Sequence, residues 1–347
     1  MNRTTTFILI GSMLLSFAGC AEQRRQAQLD QAKEIAKPKA APEVPVAHPE
    51  PVNKAFQDQA RQEIRASFTN IDPHVRVNAI EAAQDTMGTS AQDLIAAGLS
   101  DPDVNVRFAS AMAVGKLHLD ALKGKLMSMA NDPSPRVRIG VRFGLHKLGE
   151  TGLSQELVEM AKDPSPRVRE DVAMVFGQLG EPSGLKVLRQ MVITEQDDNV
   201  RIQIAESRWR LGDTEVQQML TSRLVSNFVD DQMWAIMALT STKDRRVETY
   251  IRGKLTDMYI EVALVAARGL GDLGSDAGYP VAMKGVKGTD WRSRFLGAYA
   301  LGAIGRSDAQ SSLAPLLKDS EPRVRVAAAK ALLQLREPDG AVTQVPQ

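Results

Sequence analysis

An all-α solenoid of nine two-helix repeats is predicted by two observations. The first is an anchor position that returns at Val75, Val106, Val137, Val168, Val200, Asp231, Val262, Ser293 and Val324, spaced by 31 residues except for one step of 32 after Val168. The second is the pattern inside each return: an Asp/Pro turn, then apolar or small residues at offsets 0, 4, 7, 8 and 11 from the anchor, which fall on one helical face. Composition agrees, since only 5% of residues are aromatic, too few for a sheet-rich sandwich.

The elements read in order from the N-terminus. Arg3 is the only charged side chain before an uncharged stretch from Thr4 to Gly19. That stretch is too short for a permanent membrane span and suits a signal-peptide core over residues 1–19. It ends in Phe17-Ala18-Gly19-Cys20, which resembles a bacterial lipobox, with Phe17 in place of the usual Leu. The resemblance implies diacylation of Cys20, the single Cys of the chain, followed by cleavage. The alternative reading is a secreted protein with a leftover thiol. Ala21 after the Cys, by the same resemblance, favours the periplasmic side of the outer membrane in a Gram-negative cell.

Residues 20–54 read as a tether, because Pro38, Pro42, Pro45, Pro49 and Pro51 stand among Ala, Val and Glu, without an apolar face. Sixteen residues of this kind reach roughly 50 Å at about 3.1 Å each. The repeats occupy 55–338, and 339–347 reads as a disordered tail. In the last unit Ala328, Ala329, Leu332 and Leu335 carry the core face, and Ala266, Ala267, Leu270 and Leu273 carry it two units earlier. Gly149, Gly180, Gly212, Gly274 and Gly305 at offset twelve mark the helix exits. A second helix precedes the next turn, as at 153–162 and 310–318.

Units of this length whose second helix opens Val-Arg and continues with paired Ala and Leu resemble HEAT repeats of the phycobilisome-lyase type. The resemblance implies helices stacked about 8 to 10 Å apart into a curved rod on the order of 80 Å long. It also implies that an Asp-Arg ladder links the turns of neighbouring repeats. Arg107, Arg138, Arg169, Arg201 and Arg325, with Asp101, Asp132, Asp163 and Asp319, are its members. A cationic stripe for an anionic ligand is the other reading of these arginines.

Composition excludes several functions. Lys+Arg 43 against Asp+Glu 42 gives a net charge of +1, so no nucleic-acid partner is expected. One Cys and four His leave too few ligands for a zinc or iron-sulfur cluster. HEAT-like hydroxylases bind iron through His-Glu pairs, and none of His48, His74, His118 and His146 is followed by Glu. Bilin lyases share the repeat, but no pocket motif stands here to carry their activity over. No phosphate loop or nucleophile elbow occurs. No catalytic residue, cofactor, metal or small-molecule substrate is therefore assigned.

Offsets 3, 6 and 10 of the Val-Arg helix point away from the predicted core, and by the HEAT resemblance this helix lines the concave surface. Offset six holds Glu81, Met112, Phe143, Met174, Glu206, Met237, Arg268, Tyr299 and Lys330, while offset three adds Trp234. Met and aromatic side chains along a groove suggest an adaptable protein-binding surface. Tight curvature would instead bury them. Arg208, Trp209 and Arg210 in the fifth unit, and Asp231-Gln232 in the sixth, break the pattern and mark either a site or drift. In the third unit Arg138, Arg142 and His146 form a short basic stripe. The expectation is a lipid-anchored, non-enzymatic envelope scaffold with an unidentified protein partner on its concave face. The alternatives are a structural spacer, or an enzyme related to bilin lyases and deoxyhypusine hydroxylase.

Overall fold

The computed structural model describes residues 50–150 and 154–337. The signal peptide, Cys20, most of the tether and the C-terminal tail lie outside the described residues. Among the described residues are eighteen α-helices, which form nine pairs. In chain order these are α1 (Lys54–Ser67) with α2 (Pro73–Thr86), α3 (Gln92–Gly98) with α4 (Val104–Leu117), and α5 (Lys123–Ser128) with α6 (Pro135–Lys147). There follow α7 (Ser154–Met160) with α8 (Pro166–Leu179), α9 (Pro182–Thr194) with α10 (Asp198–Arg210), and α11 (Gln217–Arg223) with α12 (Val229–Thr240). The last are α13 (Glu248–Arg252) with α14 (Ile260–Asp272), α15 (Tyr279–Gly285) with α16 (Trp291–Ile304), and α17 (Gln310–Leu313) with α18 (Pro322–Gln334). Even-numbered helices carry the anchors and form the inner layer.

Local chemistry sets the inner helices. Asp72, Asp103, Asp197, Asp290 and Glu321 cap N-termini by accepting backbone N–H bonds, and Pro73, Pro135, Pro166 and Pro322 stand in the first turn, where no N–H is needed. The predicted glycine exits are left-handed, as at Gly180 with φ 76° and Gly305 with φ 75°. The second and sixth repeats take the same exit without glycine, at His118 (φ 51°) and Lys243 (φ 60°).

The ladder is built over part of its length. Arg76 Nε and Nη2 donate to both oxygens of Asp101 at 2.8 and 2.7 Å, and its Nη1 donates to the carbonyls of Asn70 and Ile71. One guanidinium thus ties its own turn to the next. Arg107 does the same with Asp132, Arg169 with Glu195, and Arg294 with Asp319. Arg138 bonds the carbonyls of Asp132 and Pro133, and the Asp163 carboxylate accepts from the Ser165 N–H. Arg201 departs from the expectation: it is exposed, because the following repeat offers Ser226 where an acid would stand.

The expected open rod is not what forms. The last inner helix, α18, packs on α1 and α2 of the first repeat, and α2 packs on α4, so the solenoid closes into a ring. The ladder closes with it: Arg325 donates to Glu63 at 2.9 Å, taking from the first repeat the carboxylate that a tenth repeat would have supplied. Arg323 bonds Asp72 at 2.7 Å, and Lys330 bonds Asp85 at 2.6 Å with both side chains only 4% exposed. Gln310 binds the Asn53 N–H and the Pro51 carbonyl, so both ends of the ring meet at one seam.

Closure buries inner helices on every side. In α16 every residue from Phe295 to Ile304 is buried, as expected for a helix flanked by two neighbours, backed by an outer helix and facing the axis. Small residues let these helices converge: a Cβ on Gly115 of α4 would stand 2.8 Å from Gly144 Cα of α6.

Candidate interaction surfaces

The concave groove predicted from sequence is the interior of the ring. Met112 and Phe143 are no more than 1% exposed, and Met174, Met237, Trp234 and Tyr299 no more than 7%. Curvature has buried them, so as folded they offer no face to a partner. Trp209 is likewise packed, its Nε1–H donating to the Leu239 carbonyl of the next repeat at 3.2 Å. Arg208 bonds Asp213 and Glu215, and Arg210 bonds Glu206. The irregular fifth repeat is thus held by internal pairs. In the basic stripe of the third unit Arg142 bonds Glu156 and His146 bonds Glu181.

The interior is apolar at Met112, Phe143 and Met174 and charged around Tyr299. Tyr299 lies between two cations, with Arg268 and Lys330 each 5.2 Å from its ring centre. Glu81 is fully buried beside Lys330, Asp85, Lys116 and Arg268, which come from repeats one, two, seven and nine. Burial holds its carboxyl well above the usual range, against the opposing charge of Lys330. Burial lowers Lys116 to about 8, with Asp85 and Glu81 opposing the shift. Burial also raises the Tyr299 phenol, with the charge of Glu81 adding to it. Both polar atoms of Asn78, both oxygens of Glu81 and the Tyr299 hydroxyl find no hydrogen-bond partner in the protein. No group of three or more His, Cys, Asp or Glu among the described residues is arranged to hold a metal ion.

Two accessible clefts of the described residues lie on the outside. A cleft of about 800 Å³ lies between outer helices α7 and α9. Val158, Ala161, Val187 and Met191 give it an apolar floor, and exposed Lys162 and Lys186 stand at its edge. The Arg169–Glu195 rung closes one end. α9 runs for 13 residues, and the single inserted residue of the 32-residue step falls in this repeat. The 32-residue step is what marks this repeat in the sequence. A second cleft of about 840 Å³ lies at the seam, lined by Glu50, Pro51, Phe56, Gln310 and Pro315, where the described chain enters the ring.

The profile of the HEAT-repeat family matches residues 124–209, 155–240 and 280–343. Among solved structures, the chain is similar to the complex of CpcE and CpcF of phycocyanin lyase from Nostoc sp. PCC7120, at 17% identity over 70% of this chain and 97% of that one, with a TM-score of 0.42. It is similar to human deoxyhypusine hydroxylase in complex with glycerol at 18% identity, over 73% of this chain and 98% of that one, with a TM-score of 0.37. Kap121p aligns over 78% of this chain and 37% of its own length at 14% identity, with a TM-score of 0.35. Among curated proteins no sequence match is found.

Proposed function

The chain belongs to the HEAT-repeat family, and on that premise we propose that it is a non-enzymatic scaffold, held at the cell envelope by a lipid on Cys20, that recruits a protein partner on the outside of its ring. The observation that carries the reading is the cleft between α7 and α9, whose volume and apolar floor suit a helical segment of another protein. Lys162 and Lys186 at its edge favour acidic residues flanking that segment. Anchoring rests on the lipobox resemblance alone.

Photoreactive residues at Val187 and Gln190 of the full-length chain, compared in cells with one at exposed Arg61 of α1, test the recruitment. A protein captured from the cleft and not from α1, and lost in Val187→Asp, supports it; equal capture at both positions removes it. Cys20→Ser should move the protein from the membrane to the soluble fraction. A lyase- or hydroxylase-like activity is the competing reading, and a stoichiometric metal or chromophore in the purified protein would put it in place of the scaffold.

A further inference from the structure

The turns that enter the inner helices lie on one rim of the ring, and two neighbouring turns are unlike the rest. Three residues before the anchor, seven repeats place Asp72, Asp103, Ser134, Ser165, Asp197, Asp290 and Glu321. The sixth and seventh place the aromatic residues Phe228 and Tyr259 there; neither caps its helix, and Ser134 and Ser165 make no capping bond either. In these two turns Phe228 is 72% exposed, Val225 78% and Met258 63%, while Tyr259 packs against the core. Large apolar side chains left facing solvent in adjoining turns mark a candidate contact surface.

The charge of this patch is also reversed. One residue before the anchor, the third, fourth, eighth and ninth repeats carry Arg136, Arg167, Arg292 and Arg323, whereas the sixth and seventh carry Asp230 and Glu261. These two carboxylates lie close enough to repel. Burial, Asp231 and Glu261 push Asp230 up to about 6, with no cation opposing them. The nearby cations are engaged elsewhere, Arg223 with Asp231 at 3.0 Å and Lys254 with Asp257 at 3.1 Å.

We propose that this rim of repeats six and seven is a second docking surface, which takes a protein segment presenting a Lys or Arg among apolar residues. The ammonium or guanidinium would lie against Asp230 and Glu261, and the apolar neighbours against Phe228, Val225 and Met258. An anionic lipid surface is disfavoured by the same carboxylates. The proposal deepens the scaffold reading and rests on it only in taking a protein as the partner, since the rim and the α7–α9 cleft are separate surfaces.

The test is fluorescence anisotropy of the purified ring with a labelled peptide of alternating Leu and Lys. Peptides of alternating Leu and Glu, and of Ser and Lys, serve as comparisons at roughly physiological salt. The Leu/Lys peptide should bind about ten-fold more tightly than either comparison. Phe228→Asn supplies an N-cap and should not weaken the fold, yet it should lower affinity about ten-fold, as should Asp230→Asn. Binding should weaken below pH 6, where Asp230 takes up its proton. Unchanged affinity in both variants, or no preference for Leu/Lys, overturns the proposal. So does calcium bound at Asp230 without competition from the peptide. Val187→Asp should leave peptide binding intact, so a rim that fails while the cleft still captures its partner removes this inference and leaves the scaffold reading standing.

Discussion

Glu81 shows at the level of one residue how the ring taxes its own interior. Its folded pKa is raised above 4.5, so the folded state holds a proton that the unfolded chain releases. Stability therefore falls as pH rises from the unfolded value toward the folded one. The equivalent residue is Met112, Met174 or Met237 in three other repeats, which makes Glu81→Met the natural replacement. It should stabilise at pH 8 by the ~1–3 kcal/mol that an unpartnered buried polar group costs, and by less at pH 4. Thermal melts at the two pH values check this, and a lower melting temperature for the variant at pH 8 would contradict it. Lys243 is a simpler case, an exposed residue in a left-handed exit where five repeats use Gly. Lys243→Gly should raise stability by about 1 kcal/mol, read from urea unfolding.

Among elements, the inner helices are limited by how closely they approach. Gly115 of α4 meets backbone of α6, which cannot turn aside as a side chain can. Gly115→Val should cost ~1–3 kcal/mol through the separation it forces on the two helices. A urea midpoint equal to that of the unsubstituted protein would show that the junction is looser than its geometry. The caps act in the opposite direction. They were legible in sequence because they are local: Asp, Pro and Gly at fixed offsets state where a helix begins and ends without reference to any distant residue. Phe228 and Tyr259 were visible in the same register, but that Phe228 stands exposed while Tyr259 packs on the core depends on the repeats beside them.

For the whole molecule the decisive feature is the seam. Arg325 and Glu63 lie 262 positions apart and are about a quarter exposed, so their coupling is discounted for solvent screening to ~0.5–1 kcal/mol. Arg325→Glu and Glu63→Arg should each lower stability, and the double exchange should recover that coupling. Strict additivity in a double-mutant cycle would mean that the ends do not meet in solution. Lys330→Met is the harsher probe, because it strands the buried Asp85 carboxylate and should cost about 3–5 kcal/mol.

Sequence by itself determined what depends on a residue and its near neighbours. The period, the helix pairs, the exits and part of the Asp-Arg ladder each need only offsets within one unit or the next. Tertiary structure decided whether the array stays open. Each repeat adds a small rotation set by side-chain volumes at the inner flank, where glycines such as Gly115 and Gly144 let helices converge. Nine such rotations add up to a closed turn, a sum that no single motif carries. Closure then turned the face that points away from each repeat's own core into a shared interior, burying Met112, Phe143, Met174 and Tyr299 and leaving the cleft and the rim to face solvent.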